Sequence, residues 1–247
     1  MSFQDHFSTQ AATYAQTRPT YPAALFAALA GLAPSGELAW DAGAGNGQAS
    51  VGLAEHFGRV IATEPSAAQL KQAAVHPRVS YHQSAETAPM LADASVDLVT
   101  VAQAAHWFDR PKFYAEVKRV LRPGGVVALW GYQLCGISPD IDAAVLRFYR
   151  GPIDPYWPPE RRHIEGGYRD FEFPFVEMPF PEVAMELTWV LPQFSGYLRS
   201  WSAVVRFAQA NGSDPVAALE VELAPLWGDG PRRILWPLPG RLGRIPT

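Results

Sequence analysis

The stretch "LAWDAGAGNGQAS", residues 38–50, sets three glycines at alternate positions directly behind a short apolar run that ends in an acid. An apolar run followed by a glycine turn and a helix-forming segment predicts a strand, a tight turn and the start of a helix. The unpaired backbone N–H groups and the positive dipole end of such a helix form a binding site above the turn. We therefore expect this loop to hold a cofactor.

The spacing of the glycines indicates which cofactor the loop holds. A dinucleotide-binding fingerprint counted from Gly43 and Gly45 requires a third glycine at position 48, where the chain has Gln48. The third glycine is Gly47 instead, and Asp41 stands two residues before the first glycine. A carboxylate there would repel a pyrophosphate but would suit a positively charged ammonium group. An NAD-dependent oxidoreductase is therefore a disfavoured alternative.

Apolar runs and amphipathic segments alternate on both sides of the loop. We predict strands at residues 37–40, 59–63, 78–83, 95–103 and 126–132. We predict helices at residues 48–58 and 66–75, and a further helix that starts behind Asp109 as its N-cap. This alternation predicts an α/β fold, with a doubly wound and mostly parallel sheet.

The pattern changes beyond residue 132, where prolines and aromatic residues crowd the segment 151–175. We predict a helix at 138–150 with Ser138 as its cap, a strand at 183–191, and helices at 194–211 and 214–227. Residues 232–245 are interrupted by prolines and predict an edge strand that closes the sheet.

Composition excludes several classes of protein. The chain has 247 residues, of which 48% are apolar, enough to bury a core. Its opening "MSFQDHF" has neither the charged start nor the apolar core of a signal peptide, and the apolar run 23–33 is too short to span a bilayer. We expect a cytoplasmic protein that does not enter the membrane.

The charge and the cysteine content of the chain argue against nucleic acid and metal as partners. The net charge is -4, and the basic pairs at 161–162 and 232–233 are isolated, which argues against nucleic acid as a partner. The single cysteine, Cys135, excludes a disulfide framework and a Cys-rich zinc cluster, and we expect no metal. The sequence does not indicate an oligomeric state.

Several segments resemble, in order, the motifs of the Rossmann-like (class I) methyltransferases that use S-adenosylmethionine. "DAGAGNGQ" resembles their first motif, and Glu64 in "VIATE" matches the acid that holds both ribose hydroxyls of the cofactor. Residues 84–89, "SAETAP", are similar to the turn that meets adenine, and residues 93–109 to the fourth-strand region. The chain most resembles the type 11 group, which includes trans-aconitate methyltransferases, over roughly residues 5–131.

This resemblance implies a single domain around a seven-stranded, mostly parallel sheet, with an α/aromatic-rich insertion after strand five. Its implied parts are N-terminal cap helices at 1–34, a cofactor-binding core at 35–132, a substrate-side insertion at 133–182, and C-terminal strands and helices at 183–247 that complete the sheet.

The resemblance also implies S-adenosylmethionine as cofactor and a set of residues that bind it. The implied cofactor-binding residues are Asp41, Gly43, Ala44, Gly45, Asn46, Glu64, Pro65, Ser84, Ala85, Glu86, Gln103 and Ala104. The alternative within this cofactor class is a non-catalytic, regulatory protein that binds S-adenosylmethionine.

The expected methyl acceptor is a small molecule. The chain has "AQAAHWF" after the fourth strand, where DNA adenine methyltransferases carry an Asn/Asp-Pro-Pro-aromatic motif, and Cys135 lacks the preceding proline typical of cytosine methyltransferases. The planar guanidinium groups of arginines suit a carboxylate-bearing acceptor, and an uncharged acceptor is the alternative. The candidate acceptor-binding residues are Tyr14, Arg18, Tyr21, Trp107, Arg161 and Arg162, and His106 is the candidate catalytic base.

Overall fold

A seven-stranded sheet runs through the centre of the computed structural model, which describes residues 19–245. The strands are β1 (Leu38–Ala42), β2 (Arg59–Thr63), β3 (Val79–His82), β4 (Val96–Ala102), β5 (Leu121–Trp130), β6 (Val176–Met178), β7 (Ala184–Trp189), β8 (Arg232–Pro237) and β9 (Gly240–Arg244). The sheet has the order β3-β2-β1-β4-β5-β9-β6, and β7 and β8 form a separate two-stranded sheet.

Helices cover both faces of the sheet. They are α1 (Ala23–Leu32), α2 (Gln48–Ala54), α3 (Ala67–Leu70), α4 (Arg110–Val120), α5 (Pro139–Arg150), α6 (Arg161–Glu165), α7 (Leu191–Arg199), α8 (Ser202–Asn211) and α9 (Val216–Trp227). Within residues 19–245, no helix has the length and apolar character that crossing a bilayer would need.

The parallel half of the sheet follows from its apolar strands. β1 pairs in parallel with β2 and β4, and β5 pairs in parallel with β4. Strands that are buried on both faces are nearly continuous apolar runs, and every residue of β4 except Ala102 is buried. The predicted fold class, a mostly parallel α/β sheet of seven strands, is confirmed.

The C-terminal strands differ from the prediction in two ways. Residues 232–245 do not form one edge strand, because β8 pairs with β7 while β9 lies between β5 and β6 as an antiparallel strand. Leu238 and Pro239 separate the two strands, and the prolines at 237 and 239 have no N–H for a sheet ladder. The edge strand on this side of the sheet is β6, which lies inside the stretch predicted as the insertion 133–182.

Three predicted helices were too long. The helix predicted at 48–58 ends at Ala54, and the one predicted at 194–211 is divided into α7 and α8 at the buried, extended residue Trp201. The helix predicted at 66–75 has four residues only, because the N–H of Ala74 donates to the carbonyl of Asn46 in the glycine loop. In contrast, α5 begins at Pro139 behind Ser138 as predicted.

A buried carboxylate that we did not predict joins three strands at their start. Asp97 is fully buried, its Oδ2 accepts from the backbone N–H of Glu37 and Leu38, and its Oδ1 accepts from the hydroxyl of Ser35 at 2.8 Å. The Nε of Arg122 lies 3.1 Å from the same Oδ1. The side chain of Asp97 therefore links β4 to the first residues of β1 and of β5.

The change Asp97→Ala should lower the free energy of unfolding by about 3 kcal/mol, because it leaves the N–H groups of Glu37 and Leu38 without their acceptor and removes the ion pair with Arg122. Urea unfolding followed by circular dichroism measures the change. Asp93→Ala is the matched control, since that side chain is 79% exposed and its ion pair with Arg119 is worth little. Equal effects of the two substitutions would contradict this role for Asp97.

Candidate cofactor and acceptor site

The glycine loop leaves β1 and enters α2 with three residues in left-handed backbone conformation. Gly43, Gly45 and Gly47 have φ angles of 69°, 57° and 85°. A methyl group at Gly43 would lie 2.6 Å from the Cβ of Ala104, whereas one at Gly45 would meet no atom within 4 Å. Gly43 therefore allows the loop to pack against the end of β4, and Gly45 faces open space.

Asp41, near the end of β1, joins the elements on either side of this loop. It is fully buried, and its carboxylate accepts from the hydroxyl of Ser50 on α2 at 2.6 Å and from the hydroxyl of Thr100 on β4 at 2.9 Å. Burial raises the pKa of Asp41 to about 6, since the desolvation cost outweighs the two hydrogen bonds, and the nearby charge of Glu64 adds to the increase.

Glu64 follows β2 and faces the glycine loop. Its Oε2 accepts from the N–H of Gly45 at 2.9 Å, and its Oε1 accepts from the N–H of Ser66 at 2.8 Å. A carboxylate is acceptor-only and suits a ligand that presents two neighbouring hydroxyl groups. The loop and the acid predicted to hold the cofactor are therefore in direct contact.

A cavity of about 380 Å³ lies at the carboxyl edge of the parallel strands, where ligands bind in open α/β sheets. Its volume is within the range of small-molecule sites. Its described lining is Pro19, Thr20, Tyr21, Gly43, Ala44, Gly45, Asn46, Gln48, Ala49, Glu64, Pro65, Ser66, Gln69, Ala74, Ala102, Gln103, Ala104, Trp107, Phe108 and Tyr132.

The structure brings most of the predicted residues to this cavity. The predicted residues that line it are Gly43, Ala44, Gly45, Asn46, Glu64, Pro65, Gln103, Ala104, Tyr21 and Trp107. Tyr14 and Arg18 lie outside the described residues, so the structure places neither of them. Asp41 contributes from behind the loop, since it is buried and does not line the cavity.

The turn at residues 84–86 does not join the described lining of the cavity. The hydroxyl of Ser84 donates to the carbonyl of Thr87, and the carbonyl of Ala85 accepts from the hydroxyl of Thr63. Glu86 forms an ion pair with Lys112 at 2.9 Å. The side chains of Ser84 and Glu86 and the carbonyl of Ala85 therefore have partners within the protein.

His106 is buried behind the cavity rather than in its described lining. Its Nδ1 lies 3.3 Å from the hydroxyl oxygen of Tyr168. Burial, together with the charges of Arg161 and His163, lowers the pKa of His106 to about 3. An imidazole with so low a pKa is a weak proton acceptor at neutral pH, so this geometry gives no support to His106 as a base.

The two candidate arginines of α6 have different surroundings. Arg161 is half-buried, its Nε donates to the Tyr149 hydroxyl at 3.0 Å, and its guanidinium carbon lies 4.7 Å from the centre of the Trp157 ring. Arg162 is exposed. Neither belongs to the described lining, but α6 packs on the turn at 105–107, whose Trp107 does line the cavity.

Several lining residues were not predicted. Tyr132 stands just beyond β5 at the carboxyl edge, so the rule that ligands bind at that edge could have identified it. Gln69 and Ala74 could not be identified in this way, because a predicted continuous helix over 66–75 would carry Ala74 away from the loop. Gln103 has a φ of 59°, an uncommon value for a residue with a side chain, and such backbone occurs preferentially at functional sites.

Comparison with known proteins identifies the family. Residues 40–129 match the family model described as a methyltransferase domain. A provisionally named methyltransferase of Dictyostelium discoideum is 37% identical over 225 residues, which cover 90% of this chain and 86% of that protein. A provisionally named S-adenosylmethionine-dependent methyltransferase of Saccharomyces cerevisiae is 24% identical over 246 residues, with 83% of each chain covered.

A solved structure described as a type II methyltransferase of Anaeromyxobacter dehalogenans is similar over the whole fold. It is 46% identical, has a TM-score of 0.89, and the match covers 93% of this chain and 99% of that one. The names of these relatives specify no acceptor, so the likeness to trans-aconitate methyltransferases stays a prediction. Family membership and the glycine spacing together exclude the NAD-dependent alternative. The chain belongs to the class I, Rossmann-like methyltransferases, enzymes that use S-adenosylmethionine.

Proposed function

We propose that the protein transfers a methyl group from S-adenosylmethionine to a small molecule bound in the cavity at the carboxyl edge. One observation supports this above the others. The same cavity extends from the glycine loop and Glu64, which suit the cofactor, to the aromatic side chains of Tyr21, Trp107 and Tyr132. A cavity of about 380 Å³ suits small molecules rather than a polymer.

The cofactor supplies a methyl group on a positively charged sulfur, and the transfer is an in-line displacement that requires alignment and removal of water. Glu64 has the charge and the geometry to hold the ribose hydroxyls, since a carboxylate accepts from two neighbouring hydroxyl groups. The backbone of Gly43–Asn46 is open toward the cavity and suits the methionine half. Asp41 adds negative charge behind this loop, which favours the ammonium group.

The substitution Glu64→Ala should weaken the binding of S-adenosylhomocysteine by about 10- to 100-fold, because two charge-assisted hydrogen bonds are lost. Isothermal titration calorimetry measures the dissociation constant. Glu186→Ala is the control, because its side chain is 47% exposed on β7, outside the described lining of the cavity. An unchanged affinity in Glu64→Ala would reject the placement of the cofactor.

The raised pKa of Asp41 predicts a pH dependence of both stability and binding. Between the unfolded value near 4 and the folded value near 6, the folded protein binds more protons, so this group's contribution to stability falls as pH rises through that window. A cationic ligand favours the ionised carboxylate, and its affinity should therefore fall several-fold below about pH 6.

The test compares the affinity for S-adenosylhomocysteine at pH 5 and pH 7.5 in wild type and in Asp41→Asn. We expect wild type to bind less tightly at pH 5, and Asp41→Asn to bind weakly at both values, because the amide does not titrate. A pH dependence that persists in Asp41→Asn would assign the effect to a group other than Asp41.

The acceptor end of the cavity supports a carboxylate as the methylated group. Its described lining includes no histidine, lysine or cysteine side chain. A carboxylate is already ionised at neutral pH and needs no general base, whereas an amine or a phenol needs a proton removed. We propose that Arg161 attracts this carboxylate, since its helix packs on the turn that carries Trp107.

Labelled S-adenosylmethionine tests the acceptor class with matched sets of small carboxylic acids, their methyl esters, phenols and amines. We expect carboxylic acids to be labelled. Arg161→Gln should raise the acceptor KM about tenfold, by loss of one charged hydrogen-bond partner, while Arg162→Gln, the exposed neighbour, should not.

Three outcomes would contradict parts of this proposal. Label only in phenols or amines would reject the carboxylate and retain the small-molecule acceptor. Label only in nucleic acid or protein would reject the small-molecule acceptor. Binding of S-adenosylhomocysteine without transfer to any acceptor would favour the non-catalytic, regulatory alternative.

A further inference from the structure

The segment 71–78 connects α3 to β3 and lies beside the cofactor loop with few attachments of its own. None of its side chains is buried, and Val75 is 99% exposed. Ala74, in the middle of this segment, nevertheless lines the cavity together with Gln69. A stretch with so little apolar burial opens readily unless specific hydrogen bonds hold it.

Two hydrogen bonds attach Ala74, one on each side of its peptide unit. Its N–H donates to the carbonyl of Asn46 in the glycine loop at 3.0 Å. Its carbonyl accepts from the hydroxyl of Tyr81 on β3 at 2.8 Å. Tyr81 also lies against the loop itself, because a methyl group at Gly47 would be 2.0 Å from the tyrosine hydroxyl oxygen.

We infer that Tyr81 is a positioning residue for the cofactor, which acts by holding Ala74 against the glycine loop. The hydroxyl stays a donor at all relevant pH values, since burial and the charge of Asp41 raise the pKa of Tyr81 to about 12. Gln69 and Ala74 line the same cavity as Glu64, the acid proposed to hold the ribose hydroxyls, and on that basis the segment is assigned to the nucleoside side. The inference rests on the proposed location of the cofactor.

The test removes the Tyr81 hydroxyl with the substitution Tyr81→Phe. The loss of one hydrogen bond from the lining of the cavity should weaken the binding of S-adenosylhomocysteine about fivefold, mainly through faster dissociation. Calorimetry and stopped-flow fluorescence measure these two quantities. The binding of 5′-methylthioadenosine, which lacks the amino acid part, should weaken by the same factor, because the segment is assigned to the nucleoside side of the cavity.

The matched control is Tyr114→Phe, which removes a buried hydroxyl that has no hydrogen-bond partner within the described part of the chain. Hydrogen exchange separates a local effect on the segment from a general loss of stability, because a general loss would also speed exchange in β1 and β4. S-Adenosylhomocysteine should slow exchange of the amides at 71–76 in wild type and in Tyr114→Phe, but much less in Tyr81→Phe, while exchange in β1 and β4 stays the same.

Unchanged affinity and exchange in Tyr81→Phe would overturn the inference, and so would equal losses in Tyr81→Phe and Tyr114→Phe. The Glu64→Ala variant separates this failure from that of the proposed cofactor site. If Glu64→Ala weakens binding and Tyr81→Phe does not, the cofactor is correctly placed and Tyr81 has no positioning role.

Discussion

The site depends on one buried carboxylate, that of Asp41, and on the two hydroxyl groups that solvate it. An acid without such donors would be costly to bury, and Ser50 and Thr100 reduce this cost from two different elements. The same contacts hold α2 and β4 against the end of β1 at the point where the glycine loop begins. The geometry of the loop is therefore tied to the parallel sheet rather than to the loop sequence alone.

Two kinds of surface meet in the cavity as a result. On one side, hydrogen bonds from the N–H groups of Gly45 and Ser66 hold the carboxylate of Glu64 at a fixed position beside the glycine loop. On the other side, Tyr21, Trp107 and Tyr132 offer aromatic surface that excludes water. A methyl transfer requires this combination, because the donor must be held in orientation while the nucleophile loses its hydration. The family relationship and the local chemistry thus agree on the reaction and leave its acceptor to experiment.

Contacts between residues that lie far apart in sequence explain why two predicted elements differ from the structure. Residues 66–75 have a helical pattern, yet α3 ends at Leu70. The N–H of Ala74 donates to the carbonyl of Asn46, and its carbonyl accepts from the hydroxyl of Tyr81. Likewise, the apolar pattern of residues 232–245 could not reveal that its two ends join different sheets. Local periodicity reports which residues prefer burial, but it does not report which partner they find.

The sequence alone predicted the glycine loop, the acid after β2 and the parallel direction of the first five strands. These features depend on local rules, namely glycine backbone freedom, helix dipoles and the continuous apolar strands of a buried sheet. Only the tertiary structure decided that His106 is buried behind the cavity, that Arg161 lies over the ring of Trp157, and which segments line the cavity. Burial, pKa and contact across the sheet edge arise from packing between distant segments, and no local pattern encodes them.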